Sequence, residues 1–303
     1  MQPWEAEIEM SPDIAKGIIE KEIGQFKVKS ISPFAQGWDK TAYLVNNEFL
    51  FHFTRREIAI QTVKTEIKYL PLITQMLSVP VPKPEYHGEF ANGFPFFAYR
   101  PVPGRMVVEA QLNEIQRLAL APKLGEILLE LHSIPVTGEL NANFPKDYMG
   151  KLNIEKRSGQ IDKNWEVIDR LGLGVSAKFR DELIATVRQE TVNSKSCVVH
   201  GDLYSRHLMI KNGAISGIID WGDMHLNHPA RDLSFAVNYL PPNAFSAFIS
   251  AYGEINEQDL CLALFSAMNH TLYVADYAMD IGDELLRNEC KWGLENIVKN
   301  YPY

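Results

Sequence analysis

The chain has 303 residues, enough for two lobes around a sizeable core. Its 22% charged and 46% hydrophobic residues are ordinary for a globular protein. The net charge of −8 argues against a general nucleic-acid binder, which would be basic; it suits a cationic substrate, although acidity for solubility alone is the preferred explanation.

Cys197, Cys261 and Cys290 are odd in number and far apart, so no disulfide framework and no paired metal-ligand spacing is expected. The segment MQPWEAEIEM has neither a basic n-region nor an apolar h-region, and no apolar run approaches bilayer length. The expectation is a soluble cytoplasmic protein with no membrane partner, monomeric or weakly dimeric.

Ser11 and Pro12 open an expected helix over 12–24. Strand-like runs follow at Lys27–Pro33, Thr41–Val45 and Phe49–Thr54, with Asn46-Asn47 as the turn between the last two. Residues Ile58–Leu77 have helical periodicity, and Pro80, Pro82 and Pro84 then force an extended segment. Two more strands are expected at Glu85–Glu89 and Pro95–Arg100, around an Asn92-Gly93 turn. Pro101-Val102-Pro103-Gly104 marks a boundary. Beyond it helices are expected at about 110–134, 176–193, 229–239, 243–252, 257–281 and 284–299, with 135–165 polar and irregular.

The most informative stretch is CVVHGDLYSRHLMIKNGAISGIIDWGDMHLNHPARDL, Cys197 to Leu233. An apolar strand leads into His200-Gly201-Asp202, and a later strand ends in Ile218-Ile219-Asp220-Trp221. Asp202 and Asp220 are thus expected at the ends of neighbouring buried strands. Such a pair suits phosphoryl transfer: one carboxylate accepts the proton of an attacking hydroxyl, and the other holds the metal that neutralises the phosphates. The alternative for Asp202 is a plain Gly-Asp turn, and for Asp220 a strand-end cap. The chain contains no Gly-x-x-x-x-Gly-Lys-Ser/Thr, Gly-x-Ser-x-Gly or His-Glu-x-x-His motif, which argues against a P-loop NTPase, a serine hydrolase and a zinc protease.

HGDLYSRHLMI followed by GIIDWGD resembles the catalytic core of the aminoglycoside phosphotransferase family, a branch of the protein-kinase-like superfamily. The family's loop usually reads HGDLxxxN; His207 stands at the Asn, as in the macrolide 2'-phosphotransferases. The resemblance covers nearly the whole chain. It implies an α+β, bilobal protein-kinase-like fold: a nucleotide-binding lobe over 1–100, a small antiparallel sheet with one main helix, and a larger, mostly helical lobe over 101–303 with the catalytic loop and substrate site. It implies ATP or GTP with Mg2+ and a small cationic acceptor; that no nucleic acid is a partner is expected from the acidic charge balance instead.

By the same resemblance Asp202 is the catalytic base and His200 braces its loop. Asp220 is the magnesium ligand; His207 is either a second ligand or a histidine hydrogen-bonded within the loop. Phe51-His52-Phe53 stands where the family has a basic residue gripping the phosphates, and Glu66 matches the glutamate that pairs with it. A protonated His52 could take that role, so nucleotide affinity should weaken from pH 6 to 8; otherwise Arg55, Arg56 or Lys40 reaches the phosphates. Gly37 resembles the nucleotide-positioning loop, where positive φ and close backbone approach are useful, although a plain hairpin fits too. The Arg100 carbonyl and Val102 amide are the purine-binding candidates. Asp232, in Pro-Ala-Arg-Asp, is expected to cap a helix and bond back to the catalytic loop.

On the substrate side, Asp276 and Asp280 stand one helical turn apart, with Asp283, Glu284 and Glu289 nearby. The row could hold ammonium groups or be a solvated face. Tyr273, Tyr277, Met268 and Met279 could form an apolar wall or ordinary core. The reading is a kinase acting on a hydroxyl of an aminoglycoside- or macrolide-like antibiotic. A metabolic kinase of the choline, homoserine or sugar type, or a degenerate kinase that binds without turnover, is the alternative.

Overall fold

The computed structural model describes residues 6–37, 39–138, 140, 143–189 and 195–301. Trp38, the first five residues and the last residues of the helix expected over 176–193 lie outside them. By packing, the chain forms two compact units. The first takes Met1–Met76, Pro80–Val102 and Ile218–Asp223; the second takes Leu77–Val79, Pro103–Gly217 and Met224–Tyr303.

In the first unit β1 (Ile31–Gln36), β2 (Lys40–Val45), β3 (Phe49–Thr54), β4 (Tyr86–Phe90) and β5 (Phe94–Tyr99) form an antiparallel sheet in the order β1-β2-β3-β5-β4. Helix α1 (Pro12–Glu22) begins at Ser11, whose Oγ accepts the Ile14 N–H. Helix α2 is Ile60–Ile73. Strand residues alternate between faces. Phe49, Phe51 and Phe53 pack with Phe94, Phe96 and Ala98 against Ala15 and Ile19 of α1. On the other face Leu50, Phe97 and Tyr99 pack against Val63 and Ile67 of α2. A sheet covered on both faces reads as the near-continuous apolar runs seen in β3 and β5. Asn46 and Asn47 both adopt φ of 55°, the paired left-handed conformation of a tight hairpin. Ile218 rejoins this unit by donating its N–H to the Pro80 carbonyl at 3.1 Å.

The second unit is mainly helical: α3 (Val107–Ala110), α4 (Glu114–His132), α5 (Ile154–Lys163), α6 (Glu166–Arg170), α7 (Ala177–Gln189), α8 (Ala230–Tyr239), α9 (Phe245–Tyr252), α10 (Glu257–Asp280) and α11 (Glu284–Asn300). Helices α8, α10 and α11 pack on one another. Two small sheets complete it: β6 (Arg105–Met106), β8 (Leu208–Lys211) and β9 (Ala214–Ile218) in the order β6-β8-β9, and β7 (Cys197–Val199) antiparallel to β10 (His225–Asn227).

Two expectations are corrected. The 135–165 region is not irregular throughout, because α5 occupies 154–163. Asn153 accepts the Lys156 N–H as its N-cap, and Arg157 ties the helix back to the Gly150 and Met149 carbonyls. The strands leading to Asp202 and Asp220 are not neighbours: β7 pairs with β10, and β9 lies in the other sheet. No helix among the described residues is long and apolar enough to cross a membrane.

Candidate active site

The second unit builds a loop after β7 whose backbone is held on every side. Gly201 sits at φ 80°, a conformation that side-chain-bearing residues rarely adopt. The N–H groups of His200 and Gly201 donate to the buried Asp232 carboxylate at 2.7 and 3.0 Å, and His132 Nε2 approaches its Oδ2 at 3.4 Å. Asp232 therefore reaches the loop as expected, but from the first turn of α8; the N-cap position is Pro229. The Gly201 carbonyl accepts from Lys151 Nζ at 2.9 Å and Arg231 Nε at 2.7 Å. His200 Nδ1 accepts the Asp202 N–H at 3.2 Å, and His207 Nδ1 donates to the Asp202 carbonyl at 2.7 Å.

This frame aims one carboxylate. Asp202 Oδ1 lies 3.2 Å from His270 Nε2 and 3.5 Å from Arg231 Nη2, and Oδ2 lies 3.7 Å from His207 Nδ1. Burial alone would raise its pKa, but the His270 hydrogen bond and the Lys151 charge hold it well below the usual carboxylate range. Burial lowers the His270 pKa, so a neutral ring donates its Nε2–H to an ionised Asp202. An ionised carboxylate, 27% exposed on rigid support, can accept a proton from a hydroxyl placed beside it.

In the first unit the sequence-predicted Glu66 is buried, and its partner is Lys40 of β2 rather than His52. Lys40 Nζ donates to Glu66 Oε2 at 2.6 Å and to Asp220 Oδ1 at 2.9 Å. Glu66 Oε1 also accepts the Trp221 N–H at 3.2 Å. Burial would lower the Lys40 ammonium pKa, yet Asp220 and Glu66 raise it well above its ordinary value. Asp220 takes a left-handed φ of 62° and leaves its side chain 45% exposed.

His52 stacks on Phe97 (5.2 Å between centroids) and Tyr99 (4.9 Å), and its Nε2 is buried without a hydrogen-bond partner. Burial, reinforced by the Lys40 charge, lowers its pKa to about 3. The protonated His52 expected from the sequence is thus overturned, and the expected pH 6–8 dependence of nucleotide affinity loses its basis.

The low His52 pKa has a consequence for stability. The unfolded chain protonates this ring near 6.5 and the folded chain only near 3. Stability is therefore full above pH 6.5 and is lost as pH falls from there toward 3, by up to about 1.4 kcal/mol per unit for this group. Melting temperatures from pH 7.5 to 5 should fall, and His52→Asn should flatten the slope. An unchanged slope in the variant counts against the buried neutral ring.

A family model described as the phosphotransferase enzyme family matches residues 30–263. The chain belongs to the phosphotransferase enzyme family. It is an enzyme of the class that takes an alcohol group as acceptor. Solved structures sharing the phosphotransferase's kinase-like fold include an APH(2'') enzyme complexed with GDP and kanamycin: 20% identical, TM-score 0.70, 94% of this chain and 97% of that one. The macrolide 2'-phosphotransferase MphH from Brachybacterium faecium is another: 17% identical, TM-score 0.62, 92% and 96% covered. Hydroxylysine kinase from Mus musculus is 24% identical over 211 residues, 60% of this chain. The match spans about half the length of that curated relative, 54%.

The remaining residues expected in the phosphotransferase's site are placed as follows. The Gly37 N–H donates to the Lys40 carbonyl at 2.9 Å, a tight turn. Its φ is not left-handed, and among the described residues a Cβ there would meet the Lys40 carbonyl alone, at 3.7 Å, an ordinary contact. Arg100, just past β5, turns its side chain to Glu48 and Glu85, and Val102 follows on the same segment. On α10, Tyr273 is 49% exposed and Asp280 is exposed, while Asp276 is paired with Arg170 at 2.6 Å. The acidic row is largely neutralised: Asp283 bonds Arg206, Glu284 lies near Arg287, and Glu289 pairs with the buried Arg117. Met268 is wholly buried and belongs to the core, not to a wall. Among the described residues no group of three or more His, Cys, Asp or Glu side chains could hold a metal ion. His225 bonds Asn227, and His228 lies 3.3 Å from Asp259.

His270, Arg231 and Lys151 escaped the sequence reading. His270 sits inside a long apolar helix, 68 residues from Asp202, and nothing local marks it. Arg231 adjoins the predicted Asp232 and was the one detectable signal.

Proposed function

We propose that the protein transfers the γ-phosphoryl group of ATP or GTP to a hydroxyl of a small cationic molecule. The observation that carries this reading is Asp202: ionised, aimed by His270 and Arg231, and set in a loop tied to Asp232 through the His200 and Gly201 N–H groups and to Arg231 through the Gly201 carbonyl. As the acceptor oxygen bonds the γ-phosphorus, its proton passes to Asp202, and the bond to the β-phosphate oxygen breaks to release the nucleoside diphosphate. His200 and Asp232 fix the backbone, so the carboxylate need not reorganise during the step.

The donor binds the first unit: Gly37 at the phosphate loop, Glu66 on α2, and the Arg100 carbonyl and Val102 amide at the purine. Asp220 suits magnesium, a hard cation that takes one or two protein carboxylates alongside phosphate oxygens. His207 is the second proposed ligand. Its Nδ1–H is committed to the Asp202 carbonyl, the tautomer that keeps the metal-binding lone pair on Nε2. Bound magnesium would supply charge neutralisation on the phosphates.

Asp280 and Tyr273 are the proposed acceptor contacts on α10, with Asp276 shared with Arg170. An aminoglycoside or macrolide acceptor is supported by the kanamycin complex and the macrolide enzyme among the structural relatives. A metabolic amino-alcohol acceptor is the second reading, supported by the mouse hydroxylysine kinase. The three cysteines are buried free thiols, in keeping with a reducing compartment.

The test is a panel of aminoglycosides, macrolides, hydroxylysine, choline, homoserine and sugars. Each is incubated with magnesium and ATP or GTP and read by mass spectrometry for a phosphate adduct. An adduct on an antibiotic supports the first reading and one on a metabolite the second. No adduct across the panel, with tight nucleotide binding, favours a degenerate kinase.

A further inference from the structure

We propose that Lys40, on β2, grips the donor phosphates in place of a basic residue on β3. The inference rests on the phosphotransferase reading above and assigns a residue within it. A kinase-type phosphate grip needs a permanent cation, held by a buried carboxylate from the adjacent helix and aimed along the sheet.

On β3 the expected position holds His52, whose ring stacks on Phe97 and Tyr99 and whose Nε2 is buried without a hydrogen-bond partner. The helix carboxylate is nevertheless present and occupied: Glu66 is 1% exposed and holds Lys40 at 2.6 Å. Strand pairing explains how a lysine on the neighbouring strand gets there. Ala42 lies directly across from His52, and Lys40 is two residues from Ala42 on the same face. Lys40 and His52 are therefore diagonal neighbours, a separation that a four-carbon stem spans easily. Ala42 is small, so the stem crosses without obstruction. The ammonium ends 5.7 Å from the centroid of Phe97, the ring on which His52 stacks. It also reaches Asp220, the proposed metal ligand, so one cation links the helix carboxylate to the metal carboxylate.

The other basic residues at this end of the sheet are engaged elsewhere. Arg55 Nη1 donates to the Gly37 carbonyl, and Arg56 pairs with Asp39. Burying an ammonium is costly unless carboxylates compensate it, and here two do.

The experiment compares the affinities of magnesium ATP, magnesium GTP and the matching monophosphates by calorimetry on the full chain. Lys40→Met should cut the triphosphate-over-monophosphate preference by about tenfold or more, and His52→Asn should hold it within about twofold. Because Lys40→Met strands the buried Glu66 carboxylate, folding is checked by circular dichroism. The double variant Lys40→Met with His52→Lys returns a cation to the same face and should restore at least part of the preference. Preference lost in His52→Asn and kept in Lys40→Met overturns the assignment, as does a folded double variant without recovery. A wild-type chain that prefers no triphosphate removes the phosphotransferase reading itself, and the assignment with it.

Discussion

Asp202→Asn is expected to slow phosphoryl transfer by about 10²–10⁴-fold, the usual worth of a positioned general base. Triphosphate affinity, if first-unit residues hold the donor as proposed, should stay within about twofold of wild type. The substitution is nearly isosteric and still offers His270 an acceptor, so the loop keeps its shape while losing the group that takes the proton. Arg231 Nη2 remains engaged at Asn through its side-chain oxygen, and its Nε keeps the Gly201 carbonyl. Single-turnover rates, with the acceptor found by the adduct panel, provide the measurement. A loss below tenfold would assign the proton to another acceptor and leave Asp202 a loop brace.

Arg117→Ala is expected to cost about 3–5 kcal/mol of stability, because it leaves a buried carboxylate without its counter-charge. Arg117 and Glu289 have side chains only 5% and 8% exposed and meet through two hydrogen bonds. Arg117 also donates Nε–H to the Leu112 carbonyl at 3.0 Å, and its guanidinium lies over Tyr239 at 4.6 Å and Trp292 at 4.8 Å. One side chain thus ties α4 to α11 and covers two aromatic rings. Replacing both partners with leucine removes the desolvated charges together and should be milder than the single change. Urea and thermal unfolding of the three proteins provide the check. A double variant weaker than Arg117→Ala would show that packing over the rings, not the stranded charge, dominates.

The sheet was legible because its signals are local. Asn46-Asn47 and Asn92-Gly93 are turn pairs, and the near-continuous apolar runs of β3 and β5 mark strands buried on both faces. β1 was displaced by several residues. It is an exposed strand with little apolar alternation, and its register shifts between Pro33 and Ala35. Helix α5 was invisible to an apolar-periodicity reading because its residues are mostly polar; its cap and the Arg157 anchors stabilise it instead. The two acidic segments stood out through His-Gly-Asp and Ile-Asp-Trp, whose order survives in sequence. The supporting side chains did not, because their contacts are long-range: His270 is 68 residues from Asp202, and Lys40 is 180 from Asp220. In the sequence Lys40 is one of three basic alternatives to His52, beside Arg55 and Arg56. Nothing in the sequence distinguished it, since choosing among them needs the strand register that sets it diagonally across from His52.

The left-handed backbone at Asp220 restricts which amino acids can occupy that position. Most residues pay a steric penalty of about 1–2 kcal/mol in this conformation, while Asp, Asn and Gly tolerate it. Of these only Asp carries charge, and Asn matches it in shape. Neutralising the carboxylate can therefore be separated from disturbing the chain at this one codon, whereas alanine, the customary truncation, would confound the two.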